Sequence, residues 1–252
     1  MKKHMVEMKD SDIVKIPFKE STIIIAIVMS GGFILCIVLA LMYHFEQTTW
    51  THCEVPNYLP SISAAISVPP SAYVWRLVVA VCSAPRIATV FFHYRHYSNQ
   101  EVAQKQYYIL CRICFTCEFL ENICLIGLTY VSSVENHGWH AKFFIGFQVF
   151  AMIFMPLMCK VYSMAPGDET TSGLRKKTSV RGKWIVLMVN FFTFFFAMYC
   201  YYIHNRDCQP GVYTMFALFE YAVVLTNVSF HALVSLDFKD REIYFGVKKR
   251  PL

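Results

Sequence analysis

Charge is the scarcest commodity in this chain. Asp, Glu, Lys and Arg together make up 16% of its 252 residues, against about a quarter in an ordinary soluble domain. The signatures of soluble catalysis are missing too: there is no G-x-S-x-G elbow, no phosphate-cradling glycine loop and no H-E-x-x-H. The H-x4-D pattern of many membrane glycerolipid acyltransferases is absent, as are internal repeats and low-complexity stretches. What the chain has in excess is apolar surface, with 56% hydrophobic residues, 22 Phe and 15 Tyr, and a mean hydropathy of +0.41. Such a composition suits a bilayer better than water.

A helix crosses a hydrocarbon core in about 20 mostly apolar residues, and six stretches reach that length, at about 21–43, 72–92, 109–131, 142–162, 184–202 and 211–236. Ser21–Tyr43 carries no charge, 72–92 spans despite Arg76 and Arg86, and 109–131 is the least apolar. Every backbone amide in lipid must be satisfied within its own segment, so helices are the expected form. The first run is too long, and starts too far in, for a cleaved signal peptide. The fold class expected is an all-α polytopic bundle of six transmembrane helices forming a single membrane domain over 1–252.

Orientation follows from Lys and Arg, which concentrate on the cytosolic side. With an even number of spans, Lys2, Lys3, Lys9, Lys15, Lys19, Arg95, Lys105, the 175–183 cluster and the basic C-terminal tail share one side. The loops at 44–71, 132–141 and 203–210 contain only Arg206. Both termini are therefore predicted to be cytosolic. The net charge of +6 reports this topology and contact with anionic lipid, not nucleic-acid binding.

The luminal stretch THCEVPNYLPSISAAI (51–66) lacks Lys and Arg because of where it lies. Cys53 and Cys208 are the only cysteines on that side, and an oxidising lumen favours a bridge between them over two free thiols. The C-x2-C-x2-C of Cys111, Cys114 and Cys117 drifts around a helix and has no His at ligand spacing. It reads as packing, and no metal is expected.

An ionisable side chain within a span is a functional hypothesis by default. Tyr213, Glu220, Asn227 and His231 recur on one stripe of the sixth span, and Glu118 and Glu121 are neighbours on the third. Two readings of Arg76 and Arg86 stand side by side. They neutralise these buried carboxylates, or they line a cavity that binds a phosphate or sugar headgroup through the guanidinium fork. Arg112 lies close enough to the surface to snorkel. Asn227-Val-Ser229 matches a glycosylation acceptor but lies inside a span. His52 is either an exposed polar residue or a base at the membrane surface. Pro85 and Pro156 mark expected kinks.

The motifs THCEVPNYLPSISAAI, YVWR, SAPR, EN followed by TYVSS, and GVYT…EY-VVLTN-FH form one recognisable set. The chain resembles the post-GPI-attachment factors of the Frag/DRAM-type six-span membrane family, from about residue 21 to Phe238. The resemblance implies a part in remodelling glycosylphosphatidylinositol (GPI) anchors, in which a saturated chain is restored at the sn-2 position of a lyso-lipid intermediate. Each missing CH₂ removes about 0.8 kcal/mol of membrane hold, so a fault would release anchored proteins from the surface. Candidate catalytic residues at matching motif positions are Glu121, Glu220, Asn227 and His231, with Arg76 as a phosphate ligand and His52 as an outlying base. No cofactor is implied. The implied partners are the anchor lipid, surrounding membrane lipids and another acyltransferase or remodelling factor. The implied location is the Golgi membrane, with the endoplasmic reticulum as the alternative, since the ending KKRPL loosely resembles a dibasic retrieval signal. Three readings of the activity stand open: a lyso-GPI acyltransferase, a non-catalytic scaffold presenting lipid to one, and a DRAM-like modulator of trafficking or autophagy.

The topology is testable directly. An epitope beside Asn57 is predicted to stay hidden from antibody when only the plasma membrane is permeabilised, and to appear once internal membranes are opened.

Overall fold

A computed structural model of the chain describes residues 13–166, 173–238 and 241–246. The tail cations Lys2, Lys3, Lys9, Lys239, Lys248, Lys249 and Arg250, the ending KKRPL and the side chain of Arg175 lie outside the described residues. Six long helices dominate: α1 (Phe18–Tyr43), α4 (Ser71–Ser98), α5 (Lys105–Tyr130), α6 (His137–Met164), α7 (Gly173–Asp207) and α8 (Val212–Ser235). Two short ones, α2 (Phe45–Thr49) and α3 (Ile62–Ala65), sit in the long connection between α1 and α4. Among the described residues, five helices are long and apolar enough to cross a membrane. The remaining long helix, α5, carries Glu118, Glu121 and Asn122, all buried. The structure is thus that of an all-α polytopic membrane protein.

The long helices pack as a closed ring in which α1 touches α4 and α8, and α4, α5, α6, α7 and α8 follow in chain order. The α6–α7 seam is the least extensive in the ring. Small residues permit the closest approaches, since a Cβ on Gly32 would stand 2.6 Å from Val78 of α4, and one on Gly127 would stand 2.5 Å from Phe143 of α6. Both helices containing an internal proline continue through it, at Pro85 and Pro156. Two apolar cores fill the ring. Phe18, Tyr107, Phe154, Met158 and Phe230 form one; Phe33, Trp75, Val79, Phe147 and Ala217 form the other.

The ends of the bundle differ from the sequence expectation. The sequence pattern offers only helices, yet Ile13–Pro17 (β1) pairs antiparallel with Glu242–Gly246 (β2). Neither strand is stable alone; each satisfies the other's backbone. The fifth apolar run, expected at 184–202, is a helix from Gly173 to Asp207, so much of the basic 175–183 segment is helical. Lys183, counted with the cytosolic-side cations, is an interior residue. Its ammonium is wholly buried, 2.6 Å from Asp237, 2.8 Å from the Ser179 hydroxyl and over the Tyr162 ring at 3.8 Å. Burial is tolerated because a carboxylate, a hydroxyl and a π face together replace water.

At the opposite end the 51–66 connection folds back over the ring. Cys53 and Cys208 are bridged across 155 residues. The Gly211 amide donates to Pro56 O (3.1 Å), the Tyr58 amide to Thr214 Oγ1 (2.9 Å), and the Tyr221 hydroxyl to Pro60 O (2.5 Å). Gly211 takes φ +77°, a turn that other residues adopt only with strain. Asn57 donates within the loop to Val55 O at 3.2 Å and Thr49 O at 3.4 Å. The motif THCEVPNYLPS is therefore a cap sewn to α8.

Replacing Cys53 with Ser should destabilise the fold by about 2–5 kcal/mol. A lower thermal midpoint in detergent than the parent, with the parent itself falling to the same value under reductant, checks this.

Candidate functional site

A buried polar centre lies between the two apolar cores. Glu121 is fully buried, and its Oε1 accepts from Asn227 Nδ2 at 3.0 Å and lies 3.0 Å from His231 Nε2. Arg86 approaches the same oxygen to 4.0 Å and donates through Nε to Asn122 Oδ1 at 2.7 Å. Asn122 in turn donates to the Glu118 carbonyl at 2.8 Å. The Glu118 carboxylate meets His93 Nδ1 at 3.0 Å and His231 Nδ1 at 3.8 Å. One cluster thus ties α4, α5 and α8 together. A cavity of about 30 Å³ lies beside it, lined in part by Arg86, Glu118, Asn122 and His231. That is room for a water molecule, not for a lipid headgroup.

The sequence-derived candidates separate on this evidence of geometry. Glu121, Asn227 and His231 come together at Glu121 Oε1, while the buried Oε2 has no hydrogen-bond partner among the described residues. Arg86 sits among them as their counter-charge, which matches the neutralising reading. Arg76 instead reaches outward to Glu135 between α5 and α6, with both carboxylate oxygens at 2.8 Å. Those hydrogen bonds, with further ones from Ser132, hold the Glu135 carboxyl down to about 2. His52 is exposed, and its Nε2 lies 3.4 Å from Cys53 Sγ. His52, Cys53 and Cys208 form the one metal-like grouping among the described residues, and the disulfide already consumes both sulfurs. Cys111, Cys114 and Cys117 pack in the core with Phe154, Met155 and Met158.

Glu220 lies two helical turns from Asn227, about 10 Å along the axis, and belongs to a different site. Its Oε2 accepts the Ile62 amide at 2.8 Å, which docks α3 against α8. Ser61 caps α3, its hydroxyl accepting from the Ala64 amide at 3.3 Å. The half-buried hydroxyl of Ser63 lies with its Oγ 2.8 Å from His140 Nε2. His140 stands one turn into α6, a helix begun by Asn136, whose side chain accepts from the Trp139 amide at 3.1 Å. Its Nδ1 faces the Val131 carbonyl at 2.8 Å. A carbonyl oxygen only accepts, so Nδ1 carries the proton and the Nε2 lone pair of the neutral ring points at Ser63.

This pair lines a vestibule of about 510 Å³ that also contains Glu220, Tyr213, Phe144 and Phe216. Among the described residues, no Lys or Arg is in its wall. Its outer rim includes Ile145, Met198 and Tyr201, which are 59%, 40% and 43% exposed. The vestibule therefore opens sideways at the sparse α6–α7 seam. A narrower apolar slot, walled by Phe33, Trp75, Leu125 and Phe147, shares Ser63 and Glu220 with it and runs inward as far as Arg86 and Asn227. Sequence reasoning missed Ser63 and His140. They are 77 residues apart with no spacing that links them, and only the cap fold brings them into contact.

Comparison with known proteins converges on one family. The family model described as Frag1/DRAM/Sfk1/Cwh43P N-terminal domain matches residues 18–241. A Caenorhabditis elegans protein called post-GPI attachment to proteins factor 2 is 38% identical, over 93% of this chain and 90% of its own length. A Xenopus tropicalis protein called acyltransferase PGAP2 is also 38% identical, over 84% of each chain. A fission-yeast protein, Protein cwh43 of Schizosaccharomyces pombe, is 24% identical, over 83% of this chain and 20% of its own length. No solved structure matches.

Stability should separate the two arginines. Arg86→Met strands buried carboxylates and should cost about 3–5 kcal/mol, read as a large fall in the midpoint of unfolding in detergent. Arg76→Ala, which breaks a solvent-facing pair, should leave that midpoint nearly unchanged.

Proposed function

The chain belongs to the Frag1/DRAM/Sfk1/Cwh43 family, and from that premise we propose that it remodels the lipid of GPI anchors, restoring a saturated sn-2 chain to the lyso-lipid intermediate. The vestibule is the observation that carries this reading. Acyl exchange on a membrane lipid needs apolar walls for the chains, a way in from the plane of the bilayer, and a base at the glycerol hydroxyl. Phe144, Ile145, Met198 and Phe216 supply the walls, the α6–α7 seam supplies the entrance, and His140 Nε2 supplies the base. The relatives' names, a post-GPI-attachment factor and an acyltransferase, favour the same chemistry.

The proposed topology has six membrane passes. The β1–β2 pairing holds the start of α1 and the end of α8 together, which supports an even number of passes, with α5 added to the five apolar helices. The Lys and Arg distribution puts that paired end in the cytosol and the capped end in the lumen. The bridged cysteines agree with an oxidising compartment, and a Golgi membrane is the reading taken from the family role. The glycan-bearing head of the anchor lipid lies on the luminal face, where the vestibule opens. In this scheme the polar centre around Glu121 is structural, and Glu220 positions α3.

Cells lacking the chain should accumulate anchored proteins on a lyso-lipid and shed them into the medium, as read by mass spectrometry of the anchor lipid. Ala141→Trp, which fills the vestibule wall, should reproduce that loss while the protein remains in the membrane at normal level. An unchanged anchor-lipid profile in the deleted cells would remove the remodelling role.

A further inference from the structure

We propose that Ser63 is an acyl-carrying nucleophile, and that the chain it carries comes from an ester-linked membrane lipid and not from a coenzyme A thioester. The inference rests on the remodelling reading and deepens it. Three observations support it independently of the family.

The first is the orientation of the pair. A serine hydroxyl is a weak nucleophile unless a base stands ready to take its proton. His140 Nε2 is 2.8 Å from Ser63 Oγ, and the Val131 carbonyl at Nδ1 selects the tautomer with its lone pair toward serine. The carbonyl thereby holds the ring as a carboxylate does in other nucleophile–histidine–orienter sets. His140 is 4% exposed, so its orientation is set by packing as well. α3, which carries Ser63, is fixed from the far side by the Ile62 amide on Glu220.

The second is where the pair sits. Ser63 borders both the vestibule and the inward apolar slot. The slot holds only about 60 Å³, too little for a long acyl chain, so the chain would lie in the vestibule of about 510 Å³, along Phe144, Ile145 and Phe216, with its carbonyl carbon beside Ser63. The glycerol portion of the lipid would then stand toward the opening at the α6–α7 seam.

The third concerns charge. Coenzyme A carries several phosphates, and proteins hold such groups with Arg, Lys or clustered backbone amides. Among the described residues the vestibule wall has no Lys or Arg, and of the nearby cations Arg76 pairs with Glu135, Arg206 with Asp207, and Lys142 sits over the Trp139 ring. A diacyl lipid needs no such clamp, because it arrives sideways with its headgroup at the membrane surface.

The steps balance without a cofactor. Ser63 Oγ adds to the ester carbonyl carbon of the donor lipid while His140 Nε2 takes the hydroxyl proton. The tetrahedral adduct collapses, the C–O bond to the donor glycerol breaks, and the imidazolium returns the proton to that oxygen. The donor leaves as a lysolipid alcohol and the acyl chain stays on Ser63. The free hydroxyl of the lyso-anchor then attacks the acyl-serine, giving its proton to His140, which passes it to the departing Ser63 oxygen. One ester is exchanged for another in each half, so no external energy source is required.

The test uses the full chain purified into nanodiscs of phosphatidylcholine with deuterated acyl chains, with acid quenching and mass spectrometry of the peptide containing Ser63. The expected result is a deuterated acyl adduct on Ser63 that is absent in Ser63→Ala and discharged when a lyso-phospholipid acceptor is added. His140→Ala should slow adduct formation at least about 100-fold. Ser63→Cys keeps a nucleophile in place and should trap a thioester, which controls for any loss of stability that Ser63→Ala or His140→Ala brings. A normal anchor-lipid profile in cells carrying Ser63→Ala overturns the acyl-serine while leaving the remodelling role intact. Failure of the parent to take label from phosphatidylcholine, alongside reacylation from stearoyl-coenzyme A, overturns the donor.

Discussion

Glu121 has no exposed surface, and a carboxylate so placed is costly unless charge and hydrogen bonds oppose it. Arg86 from α4 and Asn227 and His231 from α8 converge on its Oε1, and Asn122 of α5 holds Arg86 in place. Three helices of the ring are thereby fixed in rotation as well as in distance, because a slip of one residue on any of them would point its polar group at hydrocarbon. Apolar contacts between helices in lipid are poorly discriminating, since the solvent is as greasy as the contact. Polar register at one level lets the packing at the other levels be unique.

Everything toward the capped end builds on that register. With α8 locked at Asn227, Glu220 two turns away faces the underside of the cap and receives the Ile62 amide. With α5 locked at Glu121, its last carbonyls, Val131 among them, come to the start of α6 and meet His140. Ser63 and His140 are carried by different elements, yet each is positioned by a helix that the polar centre holds. The disulfide and the hydrogen bonds from Tyr58, Gly211 and Tyr221 then stop the cap from lifting. A two-storey construction results, with a buried charge cluster below and the capped vestibule above.

Much of this was legible in the sequence, for reasons that can be named. Ser21–Tyr43 has no charge to interrupt it, and the stripe of Glu220, Asn227 and His231 follows from helical periodicity alone. Other features were hidden. The extension of α7 to Gly173 was obscured because Lys176, Arg181 and Lys183 look like loop residues, and only the partner Asp237, at the far end of the chain, makes Lys183 an interior residue. IVKIP and EIYFG carry little strand signal singly, and each depends on the other across most of the sequence. Arg76 was grouped with buried acids because its distance from Glu135 depends on how tightly the α5–α6 connection turns. The serine and histidine of the vestibule left no trace, since a cap folding back over a bundle has no periodicity to read.

The gap at the α6–α7 seam has a kinetic meaning. A site entered from within the plane of a bilayer does not sample lipid by its bulk molarity. It responds to the fraction of molecules in the leaflet that are the right lipid, so diluting that leaflet with inert lipid slows encounter even when the total amount is unchanged. Protein and lipid then meet by lateral diffusion in two dimensions, and the composition of the surrounding membrane becomes a control on occupancy of the site as direct as any effector.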